Sequence, residues 1–134
     1  MARTICTVDH TSHSTEAVAV AIERCSKRGG EVRFVGIVQP FTEAAGPAFG
    51  ERVRRFGLVE ANLVQACRAA RAAGLTPTLE RRFGHRLSES VAAADETGAD
   101  EIIVAEPKGF FQSGAEVHTV KRPRRERRPL ALVA

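Results

Sequence analysis

The chain has 134 residues, of which 43% are hydrophobic and 27% are charged, as is ordinary for one globular domain. No apolar stretch approaches the roughly 20 residues that cross a bilayer, and the N-terminus has no signal-peptide pattern, so we predict one cytoplasmic domain over residues 1–134. The net charge of +4 is concentrated in residues 121–128, where six basic residues stand against one acid. The three cysteines form no Cys-x-x-Cys pair, so no zinc or redox motif is indicated.

The N-terminal elements place polar groups at one edge of a sheet. The apolar run at residues 4–8 predicts a buried strand, which stops at Asp9. A helix follows at once, with Ser12 or Ser14 as its N-cap and apolar residues at i, i+3, i+4 spacing. Because ligands of open α/β folds bind at the carboxyl ends of the strands, Asp9 lies where a ligand site is expected.

The rest of the chain alternates between strands and helices. We predict further strands at residues 31–38, 77–83, 101–105 and 130–134, and helices at residues 49–73 and 87–97. The long helix carries Val53, Phe56 and Leu63 on one face. Residues 106–128 are expected to be irregular or partly helical. This alternation predicts a single-domain α/β fold with a mainly parallel sheet and helices on both faces.

This order of elements, combined with specific residues, resembles the universal stress protein family over nearly the whole chain. Asp9, Thr11 and Ser14 match its D-x-[ST]-x-x-S pattern after the first strand. Residues 98–104 are similar to its G-A-D-L-I-V-V segment at the start of strand four. The resemblance implies an open five-stranded sheet of order 3-2-1-4-5, of the adenine nucleotide alpha hydrolase type.

The resemblance also implies a stress-response or regulatory role, and homodimers formed by pairing of the last strands. A terminal apolar strand leaves a bare sheet edge unless something pairs with it or covers it. We therefore predict a homodimer through the last strand, by way of Leu130, Ala131, Leu132 and Val133.

One branch of the family binds ATP through a G-x2-G-x9-G-[ST] motif after strand four, and another branch does not bind it. The glycines let backbone N–H groups approach the phosphates. This chain has Glu106 at the first glycine, Gly109 at the second and Thr119 at the third. Pro107 also removes a donor N–H from the loop. We therefore predict a degenerate nucleotide pocket, with weak or absent ATP binding and no cofactor.

Two other functions stay open. The first is an adenine-nucleotide (ATP) binder with altered phosphate contacts, in which Lys121 and Arg122 replace the lost glycine amides by charge. The second is an electrostatic adaptor that binds nucleic acid or another anion through residues 121–128. That segment holds no aromatic residue, so it offers no base stacking. If a nucleotide binds, the resemblance implies that Asp9, Val38 and Gly109 contact it.

Asp9 also has a purely structural interpretation, because its carboxylate can cap the turn that follows it or the first helix. No P-loop and no G-x-S-x-G motif is present, so we predict no enzymatic activity. The histidines lie in predicted loops without cysteine or carboxylate at ligand spacing, so we predict no metal site. They are His10, His13, His85 and His118.

Overall fold

The computed structural model describes residues 2–39, 49–107 and 115–121, in which strands and helices alternate as far as the fourth strand. The chain runs β1 (Arg3–Val8), α1 (Ser14–Arg28), β2 (Glu31–Val38), α2 (Phe49–Ala72), β3 (Thr78–Phe83), α3 (Arg86–Thr97), β4 (Glu101–Pro107) and β5 (Ala115–Lys121). Over these residues, no helix has the length and apolar character that spanning a membrane requires.

The strands form one five-stranded sheet in the order β3-β2-β1-β4-β5. β1 pairs in parallel with β2 and β4, β2 pairs in parallel with β3, and β4 pairs antiparallel with β5. β1 and β2 are almost wholly buried because helices cover both faces of the sheet, which explains their continuous apolar runs. The predicted fold class and strand order are therefore confirmed.

The fifth strand comes from a part of the chain that the sequence did not indicate. From the sequence we expect irregular or helical chain over residues 106–128, but Ala115–Lys121 form β5. β5 pairs with all of β4, so β4 continues to Pro107, past the predicted end at Ala105. Alternating β-branched residues in the segment AEVHTVK account for the strand. The predicted strand at residues 130–134 lies outside the described residues.

The two faces of the sheet carry separate cores. α1 and α2 pack on one face, where Phe34, Leu63 and Ile103 are fully buried. A Cβ at Gly36 of β2 would come within 2.5 Å of Leu63 Cδ1, so the glycine permits the close packing of α2. α3 covers the opposite face, whose core is Ile5, Val35, Ile37, Ala93, Ala94, Ala99 and Ile102.

α2 exposes part of the face that the sequence assigns to the core. Leu63 is buried, as predicted, but Val53 and Phe56 are 53% and 41% exposed. A helix of 24 residues is about 36 Å long, whereas the eight residues of β2 span only about 26 Å. The first turns of α2 therefore extend past the carboxyl edge of the sheet.

Candidate functional site

The carboxyl ends of β1 and β4 lie side by side, and the strand order reverses between them. Four polar side chains gather at this switch point: Asp9 after β1, Arg86 at the start of α3, Glu106 in β4 and His118 in β5. We call these four residues the carboxyl-edge cluster. Each comes from a different part of the chain, so only the folded protein assembles them.

Asp9 organises the turn between β1 and α1. Its Oδ1 accepts hydrogen bonds from the Thr11 N–H at 2.8 Å, the Thr11 hydroxyl at 2.6 Å and the Ser14 hydroxyl at 2.9 Å. Burial raises the pKa of Asp9, but these hydrogen bonds outweigh it, and the pKa lies below its usual value. The carboxylate is therefore ionised at neutral pH and serves the capping role.

The predicted N-cap of α1 is wrong. His13 occupies the N-cap position without a side-chain hydrogen bond to the helix, and Ser14 is the first helical residue. The Ser14 hydroxyl is instead engaged with Asp9, whose backbone N–H donates to Ser14 Oγ at 2.9 Å. The match of Asp9, Thr11 and Ser14 to the family pattern thus has a local reason: the three residues form one hydrogen-bonded turn.

Asn62 of α2 holds the same turn from the other side, a role that we did not predict. Its Nδ2 donates to the backbone oxygens of Asp9 at 2.9 Å and Thr11 at 3.1 Å. One feature of the sequence could have indicated this role: Asn62 carries a side-chain amide between Val59 and Leu63, two buried positions of an amphipathic helix. A polar residue at such a position is usually hydrogen-bonded to something it packs against.

Arg86 bridges the ends of β1 and β4. One terminal nitrogen, Nη1, donates to the Ala105 carbonyl at 3.2 Å and lies 3.8 Å from Asp9 Oδ2. The other, Nη2, lies 3.3 Å from Glu106 Oε1. Its Nε is buried and has no hydrogen-bond partner among the described residues. We did not predict a role for Arg86 from the sequence, because its reach across the switch point depends on the packing of α3.

β5 adds further charge to the cluster. His118 is on β5, not in a loop as predicted, and its Nε2 lies 3.5 Å from Glu106 Oε2 and 3.7 Å from Glu116 Oε2. Among the residues that the structure describes, no group of three or more His, Cys, Asp or Glu side chains has the geometry to hold a metal ion. The arrangement is a set of ion pairs between Arg86 and the carboxylates of Asp9 and Glu106, with His118 beside Glu106.

Val38 lies beside an apolar groove next to the cluster. The groove has a volume of about 660 Å³, and the parallel rings of Phe56 and Phe83 stack in its wall with their centroids 6.5 Å apart. The Val38 carbonyl accepts a hydrogen bond from the Gly84 N–H at 3.1 Å. The groove is lined by Val38, Gln39, Arg52, Val53, Phe56, Phe83 and Gly84.

The structure therefore places Asp9 and Val38 at the ends of adjacent strands, but only Val38 lines the groove. Gly109, the third predicted contact, lies outside the described residues. The same holds for the basic segment beyond the exposed Lys121, so the anion-binding alternative stays a prediction.

The model of the universal stress protein family matches residues 1–115 of this chain. The match covers β1 to β4 and ends at the first residue of β5. No curated protein matches the chain.

Solved structures with the same fold include a universal stress protein family member from Burkholderia pseudomallei, at 15% identity and a TM-score of 0.66, covering 77% of this chain and 80% of that one. A universal stress protein in complex with cAMP is 23% identical with a TM-score of 0.59, covering 75% and 73%. A universal stress protein from Archaeoglobus fulgidus is 22% identical with a TM-score of 0.54, covering 84% and 82%. The family model matches most of the length of this chain, and the sheet has the strand order 3-2-1-4-5. This chain therefore belongs to the universal stress protein family.

Proposed function

We propose that the chain is a non-catalytic stress-response or regulatory domain whose nucleotide pocket binds ATP weakly or not at all. The observation that carries this proposal is the continuation of β4 through Glu106 and Pro107, paired with β5. A phosphate loop needs backbone N–H groups that point freely at the ligand. Here Glu106 and Pro107 lie in a strand ladder, and the proline has no N–H.

The charge of the carboxyl-edge cluster supports the same conclusion. Asp9 is ionised, Glu106 adds a second carboxylate, and Glu116 adds a third beside the cluster, whereas Arg86 is the permanent cation that faces Asp9 and Glu106 within the described residues. Two like unit charges about 4 Å apart repel by about 4 kcal/mol at the effective dielectric constant near a protein surface. A triphosphate placed at this edge therefore meets net repulsion.

Isothermal titration calorimetry with ATP and Mg²⁺ tests the proposal. We expect no saturable binding up to about 1 mM ligand, which corresponds to less than about 4 kcal/mol of binding free energy. Injection of ATP into buffer alone gives the dilution heat to subtract. A dissociation constant in the low micromolar range would overturn the degenerate-pocket proposal.

A second candidate function is the binding of a nucleotide with a single phosphate. One structural neighbour was solved with cAMP, and a cyclic monophosphate needs no triphosphate loop. The groove beside Val38 has apolar, aromatic walls of the kind that hold a purine ring. This observation favours cAMP over ATP as the nucleotide to test.

Titration of a fluorescent cAMP analogue tests this candidate. If the purine stacks in the groove, Phe56→Ala should weaken binding by roughly tenfold, because base–aromatic stacking contributes about 1–3 kcal/mol. Phe49→Ala is the matched control, since Phe49 is 80% exposed and does not line the groove. Equal losses in both variants, or no binding to the natural chain, would rule the candidate out.

We further propose that the protein acts in the cytoplasm, without a cofactor, as a homodimer through Leu130, Ala131, Leu132 and Val133. The apolar composition of that segment supports the dimer, and so does the pairing of last strands that the resemblance to the family implies.

A further inference from the structure

We propose that Arg86 acts as an internal ligand of the Asp9 and Glu106 carboxylates: its guanidinium lies against acceptors that a nucleoside's hydroxyl groups would use, and so keeps those hydroxyl groups out of the switch point. The inference rests on the proposed degenerate pocket and names the side chain that closes it. Arg86 is the first residue of α3 and reaches across the ends of both strands at the switch point.

The two carboxylate oxygens of Asp9 have different neighbours. All three hydrogen bonds that build the turn go to Oδ1. Oδ2 has a different neighbour, the Arg86 guanidinium at 3.8 Å. Asp9 thus has one oxygen committed to the fold and one directed at Arg86, so removing Arg86 would free Oδ2 without dismantling the turn.

The two carboxylate oxygens of Glu106 also have different neighbours. Its Oε1 lies 3.3 Å from Arg86 Nη2, and its Oε2 lies 3.5 Å from His118 Nε2. The two oxygens that face Arg86 therefore come from strands that flank the switch point. In dinucleotide-binding α/β folds, a carboxylate near the carboxyl edge of the sheet accepts a hydrogen bond from a ribose hydroxyl.

Arg86 is not held as a structural ion pair normally is. Strong charge-assisted hydrogen bonds measure about 2.7–2.9 Å, whereas its contacts measure 3.2, 3.3 and 3.8 Å. Its buried Nε is also without a partner in the described part of the chain. Arg82, by contrast, donates at 2.9 Å to both Glu89 and Glu96. Arg86 fills the switch point but satisfies only part of its hydrogen-bonding capacity.

The chemistry of the vacated site determines which ligand it would take. Without Arg86, the carboxylates of Asp9 and Glu106 lose the cation that faces them, so the site suits a neutral ligand with vicinal hydroxyl groups. Polyphosphates would be repelled more strongly than before. Loss of Arg86 should therefore favour adenosine and not ATP.

The test compares the binding of adenosine and of ATP with Mg²⁺ to the natural chain and to Arg86→Ala, by titration calorimetry. We expect adenosine to bind Arg86→Ala roughly tenfold more tightly, or better, as one released charged acceptor predicts. ATP should gain nothing. Arg54→Ala is the matched control, because Arg54 is exposed and pairs with Glu51. Adding Asp9→Asn to Arg86→Ala keeps Oδ1, replaces Oδ2 and should reduce the gain, with Glu106 Oε1 still available.

A folded Arg86→Ala protein, verified by circular dichroism, that binds adenosine no better than the natural chain overturns the inference. So does an equal gain for ATP. If Arg86→Ala does not fold, Arg86→Gln removes the charge but keeps an amide donor, and it must show the adenosine gain. Low-micromolar ATP binding by the natural chain would overturn the proposed function and not the inference about Arg86. The inference is overturned by a different result, namely that the Arg86 variants leave adenosine binding unchanged.

Discussion

At the scale of single residues, the turn after β1 depends on Asp9, Thr11 and Ser14. A short carboxylate that accepts from a backbone N–H two residues later is the usual way to stabilise such a turn. The two hydroxyl groups add hydrogen bonds to the same oxygen. A residue that resembles a ligand contact by its place in the fold therefore has a full structural role.

Asp9→Ala should lower the free energy of unfolding by about 2 kcal/mol, because it leaves several turn donors without their acceptor. Asp9→Asn keeps an Oδ1 acceptor, so it should lower the free energy of unfolding by less than half as much as Asp9→Ala does. Urea denaturation followed by circular dichroism measures both. Equal losses in the two variants would contradict the capping role.

The contribution of Asp9 to the free energy of unfolding depends on pH in one direction. The folded pKa of Asp9 lies below the unfolded value of about 3.9. Its charge therefore contributes stability above that pH, and the contribution is lost as the pH falls through the folded pKa. The stability difference between the natural chain and Asp9→Asn should be constant near neutral pH and shrink in acid.

At the scale of elements, Glu101 joins α1 to β4 at the amino edge of the sheet. Its carboxylate is almost fully buried and accepts from Arg24 at 2.7 and 3.0 Å, from Arg28 at 3.1 Å and from Thr4 at 2.9 Å. Hydrogen bonds from Arg24, opposed by burial, hold the pKa of Glu101 below its usual value. The family segment that it resembles has an apolar residue here, so α1 supplies the compensation for a buried charge.

Glu101→Gln should lower the free energy of unfolding by about 2 kcal/mol, because two partly exposed arginines lose their anion. Glu23→Gln is the matched control on α1, since Glu23 is exposed and forms an i,i+4 pair with Lys27; it should change stability by less than about 0.5 kcal/mol. The depressed pKa of Glu101 means that its contribution also disappears as the pH falls below about 4. A pH-independent difference would refute this ion-pair role.

At the scale of the whole molecule, β5 changes the outer edge of the sheet. It lies on the far side of β4, so an antiparallel strand holds the fifth position of the described sheet. The same hairpin turns Glu106 and Glu116 towards His118. The pairing of β5 with β4 thus determines both the outer strand of the described sheet and the side chains that meet at the site.

The natural chain should elute as a dimer of 14.5 kDa protomers in size-exclusion chromatography with light scattering. Leu132→Asp should give a monomer, because a charge in an apolar interface is costly to bury. Leu87→Asp is the control, since Leu87 is exposed on α3, and it should stay dimeric. A natural chain that is monomeric at micromolar concentration would exclude the predicted homodimer.

Much of the fold was predictable, because its signals are local. The buried strands β1 and β4 appear as apolar runs, and Gly29 and Gly98 end helices with φ near 67° and 69°, as glycine permits. The site was predictable only in part. Asp9 was identified through its pattern, whereas Asn62 and Arg86 act on residues that are distant in sequence.

The amino-acid sequence by itself determined the alternation of strands and helices, the family and the departure from the G-x2-G-x9-G-[ST] motif, since these depend on residue types at short spacing. Only the tertiary structure decided that Asp9 caps its own turn, that β5 runs back along β4, and that Arg86 spans the switch point. Arg86 meets Glu106 20 residues away, and Arg24 meets Glu101 77 residues away. Such contacts depend on strand register and helix packing, which no local periodicity specifies.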